Sequence, residues 1–290
     1  MSNPKKAFKG GYRFKNFKGE AAPKVVEQKA SHTVVIPLKQ GCGDPATPIV
    51  DQGDTVKKGQ IIGESTDSYG SPVHSPVTGV VSEIAAVGEK EIPAIIIDSA
   101  QENEPDSVQR LAGYDPAWEN LQPEKIAELI YLSGAASLDS CGIPTQFKSS
   151  VITPEETDHV IVNAVEDDLL PVSASVFLAG NALDNFTAGC RILKRALPNV
   201  SFAVAVGKNG KKITADLEAA FGGTEISVAV VSDKYPQSRE EVLVPTIVGG
   251  GFPYGFTAAN IGVTVVSVQT ILHIFDAVTD GMPVISRIID

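Results

Sequence analysis

The chain has 290 residues but only three cysteines, two methionines and one tryptophan. Cys42, Cys141 and Cys190 lie far apart, with no C-x-x-C spacing. So sparse and odd a set offers no disulfide framework and points to a reducing compartment. It also excludes a local iron–sulfur or zinc site, which needs about four clustered thiolates. The four histidines, His32, His74, His159 and His273, show no H-E-x-x-H or similar pairing, so they read as turn or core residues and no metal site is expected. No hydrophobic run approaches the roughly 18 residues of a membrane span. Positive charge is scarce: the net charge is -11, which argues against a nucleic-acid surface. Six lysines and one arginine do crowd the first 24 residues, and read as a solvated arm. That stretch has no apolar segment of about 7–15 residues, so it is not a signal peptide. A cytoplasmic or peripheral chain is expected.

What is present begins at 36–84, IPLKQGCGDPATPIVDQGDTVKKGQIIGESTDSYGSPVHSPVTGVVSEI. Short β-strands are punctuated by Gly-Asp and Pro turns, as if one hairpin unit were used twice. In the first half, Gly53-Asp54 turns, Val56 points inward, and Gly59-Gln60 turns again before Ile61-Ile62. In the second, Ser75-Pro76 leads through Thr78-Gly79 to Val80-Val81 and Ile84. The pattern resembles the barrel-sandwich of biotinyl and lipoyl carrier domains. Those carry their group on a lysine at the hairpin tip, near Asp67-Ser68-Tyr69 here. No lysine lies between Lys58 and Lys90, so the sandwich is a scaffold and not a covalent carrier.

The polar stretch SAQENEPDSVQR at 99–110, followed by Gly113 and Asp115-Pro116, reads as a linker. Beyond it the period changes. Leu121-Gln122-Pro123-Glu124 opens a helix with Ile126, Leu129 and Ile130 as its apolar stripe. HVIVNA at 159–164, VSFAVAV at 200–206 and EISVAVV at 225–231 read as strands buried on both faces. The stretches 172–197 and 214–221 read as helices between them, the second ending at Gly222-Gly223. A strand, IGVTVVSV, and a helix, QTILHIFDAVTDG, follow. Strand–helix alternation implies a mostly parallel sheet. Gly249-Gly250-Gly251 lacks the context of a phosphate loop and reads as a turn.

Several segments together resemble one family. They are FKGGYRF at 8–14, the sandwich, CGIPTQFK at 141–148, VIVNAVEDDLLP at 160–171, and KYPQSREEVLVPTIVGGGFPYGFTAANIGVTVVSVQTILHIFDAVTDGMPVISRII at 234–289. They resemble the C subunit of the Rnf electron-transport complex, related to the NADH- and flavin-binding subunit of respiratory complex I. The resemblance covers nearly the whole chain. It implies an α/β (α+β overall) fold, with a biotinyl/lipoyl-like barrel-sandwich hybrid followed by a Rossmann-like flavin/NADH-type domain. The bounds expected are an arm at 1–29, sandwich at 30–98, linker at 99–117 and Rossmann-like domain at 118–290.

The same resemblance implies FMN and NADH as cofactors, held by Gly142, Thr145, Asn163, Glu166, Asp168, Tyr235, Glu240, Ser267 and Thr270. Asn163 and the acids after it match a loop that orients the flavin and the nicotinamide ribose. Ser267-x-x-Thr270 equally suits a helix N-cap. The family's glycine-rich loop corresponds to LSGAASLDSCGIPT at 132–145. Glycines there let backbone approach a flat ring or diphosphate. Here Ser137, Leu138, Asp139 and Ser140 replace them, which predicts a degenerate cleft and speaks against FMN and NADH binding. No catalytic residue is assigned.

Relatives in this family continue into a β-grasp and a ferredoxin-like domain with cysteine-bound clusters, whereas this chain stops at Asp290. The VISRII ending reads as a truncation, and no iron–sulfur cluster is expected within the chain. Two functions stay open. One is a peripheral electron-transfer subunit of an Rnf-like membrane oxidoreductase complex, working with the other subunits and with ferredoxin or NADH. The other is a cofactor-free structural adaptor in such a complex.

Overall fold

A computed structural model describes residues 10–13, 25–40, 44–65, 70–100, 108–135, 157–166, 174–251 and 253–289. They divide between two compact units. One draws on Val26–Phe147 and His273–Arg287, the other on Met1–Val25, Lys148–Leu272 and Ile288–Asp290. Among the described residues, no helix is long and apolar enough to cross a membrane.

The first unit is built on seven short strands: β1 (Thr33–Pro37), β2 (Thr47–Pro48), β3 (Thr55–Val56), β4 (Ile61–Glu64), β5 (Val73–His74), β6 (Gly79–Val87) and β7 (Ile92–Ser99). They form two antiparallel sheets, ordered β1-β7-β6-β3 and β2-β4-β5. Alternate side chains point inward, so Leu38, Val56, Ile62, Val73, Val81, Ile95 and Ile97 share one core. The doubled hairpin is visible in the backbone. Gly53 donates to the Val81 carbonyl while Val81 donates to that of Asp54, at 2.8 and 2.9 Å; Gly59 and Ser75 repeat the exchange through Ser75 and Gln60, also at 2.8 and 2.9 Å. Both turn glycines have left-handed φ, +94° and +85°, where a Cβ is strained.

Helix α1 (Pro123–Leu132) belongs to this unit. Pro123 opens it, and Ile126, Leu129 and Ile130 are its buried stripe. Residues before it are packed too. Gln109 donates to the Lys58 carbonyl at 2.7 Å and Leu111 to that of Gly281 at 2.8 Å. The compact units therefore cut the chain at different points from the sequence-read bounds at 99–117 and 118.

In the second unit, strands β8 (His159–Ala164), β9 (Ser201–Gly207), β10 (Ile226–Val231) and β11 (Val263–Ser267) make one parallel sheet in the order β10-β9-β8-β11. Its helices are α2 (Ala174–Phe177), α3 (Ala182–Ala196), α4 (Lys211–Ala220), α5 (Glu240–Ile247) and α6 (Val268–Asp280); the division between units falls within α6. The single helix expected over 172–197 is broken. Gly180 sits at φ +62° between α2 and α3, a conformation no α-helix carries through. The α3 helix approaches the start of α6 closely: a Cβ on Gly189 would stand 2.6 Å from the Ile271 carbonyl oxygen. On one sheet face, Ile161, Ala205, Val231 and Val265 pack with Leu243 and Val244 of α5. Neighbouring strand residues of opposite parity, Val160, Val162, Val204 and Val266, are buried as well, so the apolar runs are covered on both sides, as parallel strands require.

Candidate functional site

The strand order creates the site. From β8 the chain steps to β9 and β10 on one side, then returns to lay β11 on the other side of β8. In parallel α/β sheets, ligands bind beyond the carboxyl ends of the strands where the order reverses. Here the reversal lies between β8 and β11, whose last paired residues are Asn163 and Ser267.

At this edge Asn163 is held at both ends of its carboxamide. Its Nδ2 donates to the Ser238 carbonyl at 2.8 Å, and its Oδ1 accepts from the Val165 backbone at 3.2 Å. Ser267 begins α6 as a cap. Its Oγ accepts the Thr270 backbone N–H at 3.1 Å and lies 2.9 Å from the Thr270 hydroxyl. That geometry is the N-cap, with the side chain replacing a missing intrahelical partner.

The segment from Ser232 to Arg239 runs from the end of β10 to the start of α5. Tyr235 exchanges two backbone hydrogen bonds with Tyr12, each 2.9 Å. Arg13 pairs with Asp233, whose side chain is only 4% exposed. Within the stretch read as a solvated arm, Tyr12 and Arg13 stay largely exposed yet bond to this segment, where the buried Asp233 carboxylate needs a charged partner. Gln237 is fully buried and donates from Nε2 to the Thr246 hydroxyl at 3.1 Å. Its Oε1, and Asp233 Oδ2, accept no hydrogen bond among the described residues. Glu240 opens α5, where a carboxylate suits the helix dipole.

Asn163, Ser267 and Thr270 thus meet at the switch point, and Ser238 links Tyr235 and Glu240 to them along one segment. Glu166 follows β8 in the adjoining loop. Gly142, Thr145 and Asp168, together with the altered stretch 137–140, lie outside the described residues. Sequence reasoning missed Arg13, Asp233 and Gln237. For Asp233 and Gln237 the available signal was a charged and an amide side chain in a segment that follows a buried strand; Arg13 had none. Gly249 and Gly250 adopt φ of +86° and +88° after α5, which is turn geometry. Among the described residues no group of three His, Cys, Asp or Glu side chains is placed to hold a metal.

In the parallel-sheet unit, burial pushes the Cys190 thiol well up, and the sandwich unit holds three further shifts. Burial pulls His74 down to about 4 against the opposing Leu132 backbone bond. Burial also pulls His273 to about 4, helped by the Arg287 charge. Burial, reinforced by Asp280, pushes Asp276 up to about 6.

The RnfC Barrel sandwich hybrid domain family matches residues 6–102, and the Nuo51 FMN-binding domain family matches 132–276. The C subunit of the proton-translocating ferredoxin:NAD(+) oxidoreductase complex of Clostridium ljungdahlii is 28% identical, over 98% of this chain and 62% of that protein. Its counterpart in the Na(+)-translocating ferredoxin:NAD(+) oxidoreductase complex of Acetobacterium woodii is 26% identical, over 89% and 58%. The C subunit of the ion-translocating oxidoreductase complex of Vibrio cholerae is 27% identical, over 97% and 36%. The chain therefore spans about a third to two thirds of the length of these relatives. A solved NAD+-reducing NiFe hydrogenase in the H2-reduced state superposes with TM-score 0.46 at 16% identity, over 58% of this chain and 33% of that one. The chain belongs to the Nuo51 FMN-binding domain family, whose match spans half of it at 132–276, and it carries a match to the RnfC barrel sandwich hybrid domain ahead of that, at 6–102.

Proposed function

We propose that the chain is a peripheral electron-transfer subunit of an Rnf-like membrane oxidoreductase complex, and that its flavin and NADH cleft lies beyond Asn163 and Ser267. The single observation that carries this is the reversal of strand order between β8 and β11, with polar side chains at both strand ends. The residues suit FMN in kind. Ser267 and Thr270 stand at the start of the 13-residue helix α6, where the dipole favours an anion such as a phosphate. The Asn163 carboxamide has both a donor and an acceptor for a flavin ring edge. Gln237 Oε1 is a buried acceptor in the adjoining segment that still lacks a donor. FMN, when bound, accepts a hydride and releases its electrons singly. The chain's own part is to orient the ring and exclude water. Its partners are the other subunits of the complex, with NADH or ferredoxin as the soluble redox partner, on the cytoplasmic face of the membrane.

A second reading, a cofactor-free adaptor, is favoured by a specific observation. Asn163 is already bonded to the Ser238 carbonyl and the Val165 amide, and Ser267 to Thr270, by internal hydrogen bonds. In the sequence, Ser137, Leu138, Asp139 and Ser140 stand where the resemblance implies glycines, and they are bulkier and carry a charge. The degenerate cleft is thus part of the proposal: flavin binds weakly here, or the chain serves as an adaptor. Purified protein is titrated with FMN at equilibrium, read by flavin fluorescence, and the FMN-saturated sample is mixed anaerobically with NADH. Saturable binding with protein-dependent bleaching of the flavin supports electron transfer. No saturable binding up to millimolar FMN overturns it in favour of the adaptor.

A further inference from the structure

We infer that residues 12–13 are a strap that positions the cofactor-cleft segment, with Arg13 its positioning residue; this rests on the cleft reading above. Arg13 and Asp233 are 220 positions apart in sequence, yet their ion pair joins the N-terminal stretch to the residue just past β10. The pairing is asymmetric: the Arg13 side chain is 48% exposed, that of Asp233 only 4%. An exposed arginine gains little by binding, whereas a buried carboxylate left alone is costly. The arm is therefore what Asp233 requires in order to stay inside.

Two residues on, the reciprocal Tyr12–Tyr235 backbone bonds fix the segment a second time. Three residues further, the Ser238 carbonyl accepts the Asn163 amide. A path of direct bonds runs from Arg13 to the carboxamide at the strand-order reversal. Gln237, between these anchors, is fully buried with one acceptor unused. A segment that buries an open acceptor and an ion-paired carboxylate does not hold its shape by apolar packing alone. The strap supplies the difference.

The test uses the full chain. Arg13→Ala is expected to weaken FMN binding about tenfold and to blunt the flavin absorbance shift, with Arg13→Lys restoring most of both. Because Arg13→Ala leaves a buried carboxylate unpaired and risks unfolding, Tyr12→Pro is the second variant. It deletes the N–H that donates to the Tyr235 carbonyl and leaves the ion pair in place. It too should weaken FMN, with a small change in melting temperature. Folded variants that bind FMN within twofold of wild type overturn the strap. Should wild type bind no FMN, the cleft reading fails separately, and amide hydrogen exchange decides the strap. The Tyr235 and Val165 amides must exchange faster in both variants; unchanged rates overturn it.

Discussion

Asn163, at the end of β8, donates to the Ser238 carbonyl 75 positions further along the chain, at 2.8 Å. The same side chain accepts the Val165 amide, so one carboxamide fixes both the turn leaving β8 and the segment entering α5. Asn163→Ala leaves a part-buried carbonyl and a part-buried amide without this partner. The expected cost is about 1–3 kcal/mol, visible as a fall of several degrees in thermal melting. Asn163→Asp keeps the acceptor for Val165 but sets a carboxylate against the Ser238 carbonyl, and should melt lower than wild type as well.

Stability should rise with pH between about 4 and 6.5. His74 and His273 have folded values near 4, below the unfolded value near 6.5, so the unfolded chain binds more protons across that window. Their contribution is full above 6.5 and is lost as pH falls toward 4, by up to about 3 kcal/mol each. Asp276 works the other way. Its folded value near 6 lies above the unfolded one, so its penalty builds as pH rises from about 4 toward 6 and is full above that. Asp276→Asn should raise the melting temperature at pH 7 and leave it nearly unchanged at pH 4. His74→Gln should flatten the acid limb in a series of melts across pH.

Gly79 marks the tightest point of the sandwich. A Cβ there would stand 2.2 Å from the Asp98 carbonyl oxygen and 2.9 Å from the Ile97 side chain. Gly79→Ala should cost about 3 kcal/mol because backbone must move. Gly88→Ala is the control: it has open space but φ +71°, and should cost about 1 kcal/mol from backbone strain alone. Denaturant titration of both variants separates crowding from strain.

If side chains at 137–140 weaken the cleft, glycine at Leu138, Asp139 and Ser140 should raise FMN affinity. The added chain freedom should cost about 0.5–1 kcal/mol of stability per position and so lower the melting temperature modestly. A folded variant with no gain in affinity would shift the account toward the adaptor.

Local periodicity made much of this fold legible. Alternation around Val56 and Ile62 specified the inward face of the sandwich, and HVIVNA reads as a buried strand because both of its faces are apolar. The i, i+3, i+4 stripe of Ile126, Leu129 and Ile130 likewise announced α1. The break at Gly180 was hidden because glycine inside an amphipathic stretch does not declare its φ. Helix α5 was hidden because Pro245 lies inside it. At the site, Asn163 and the Ser267–Thr270 pair could be singled out only through the family resemblance, since a strand-end Asn and a Ser-x-x-Thr start by themselves equally suit a loop and a helix N-cap. The Arg13–Asp233 pair could not, since nothing local links a basic arm to an aspartate beyond β10. The switch point itself depends on strand order, which alternation does not encode.

The central claim is that the chain's flavin cleft lies between the ends of β8 and β11. Amide hydrogen exchange, measured on the full chain with and without saturating FMN, tests it directly. Protection gained at residues 163–166, 235–240 and 267–270, with the sandwich strands unchanged, is the predicted result. No protection anywhere, or protection confined to the sandwich, would contradict it.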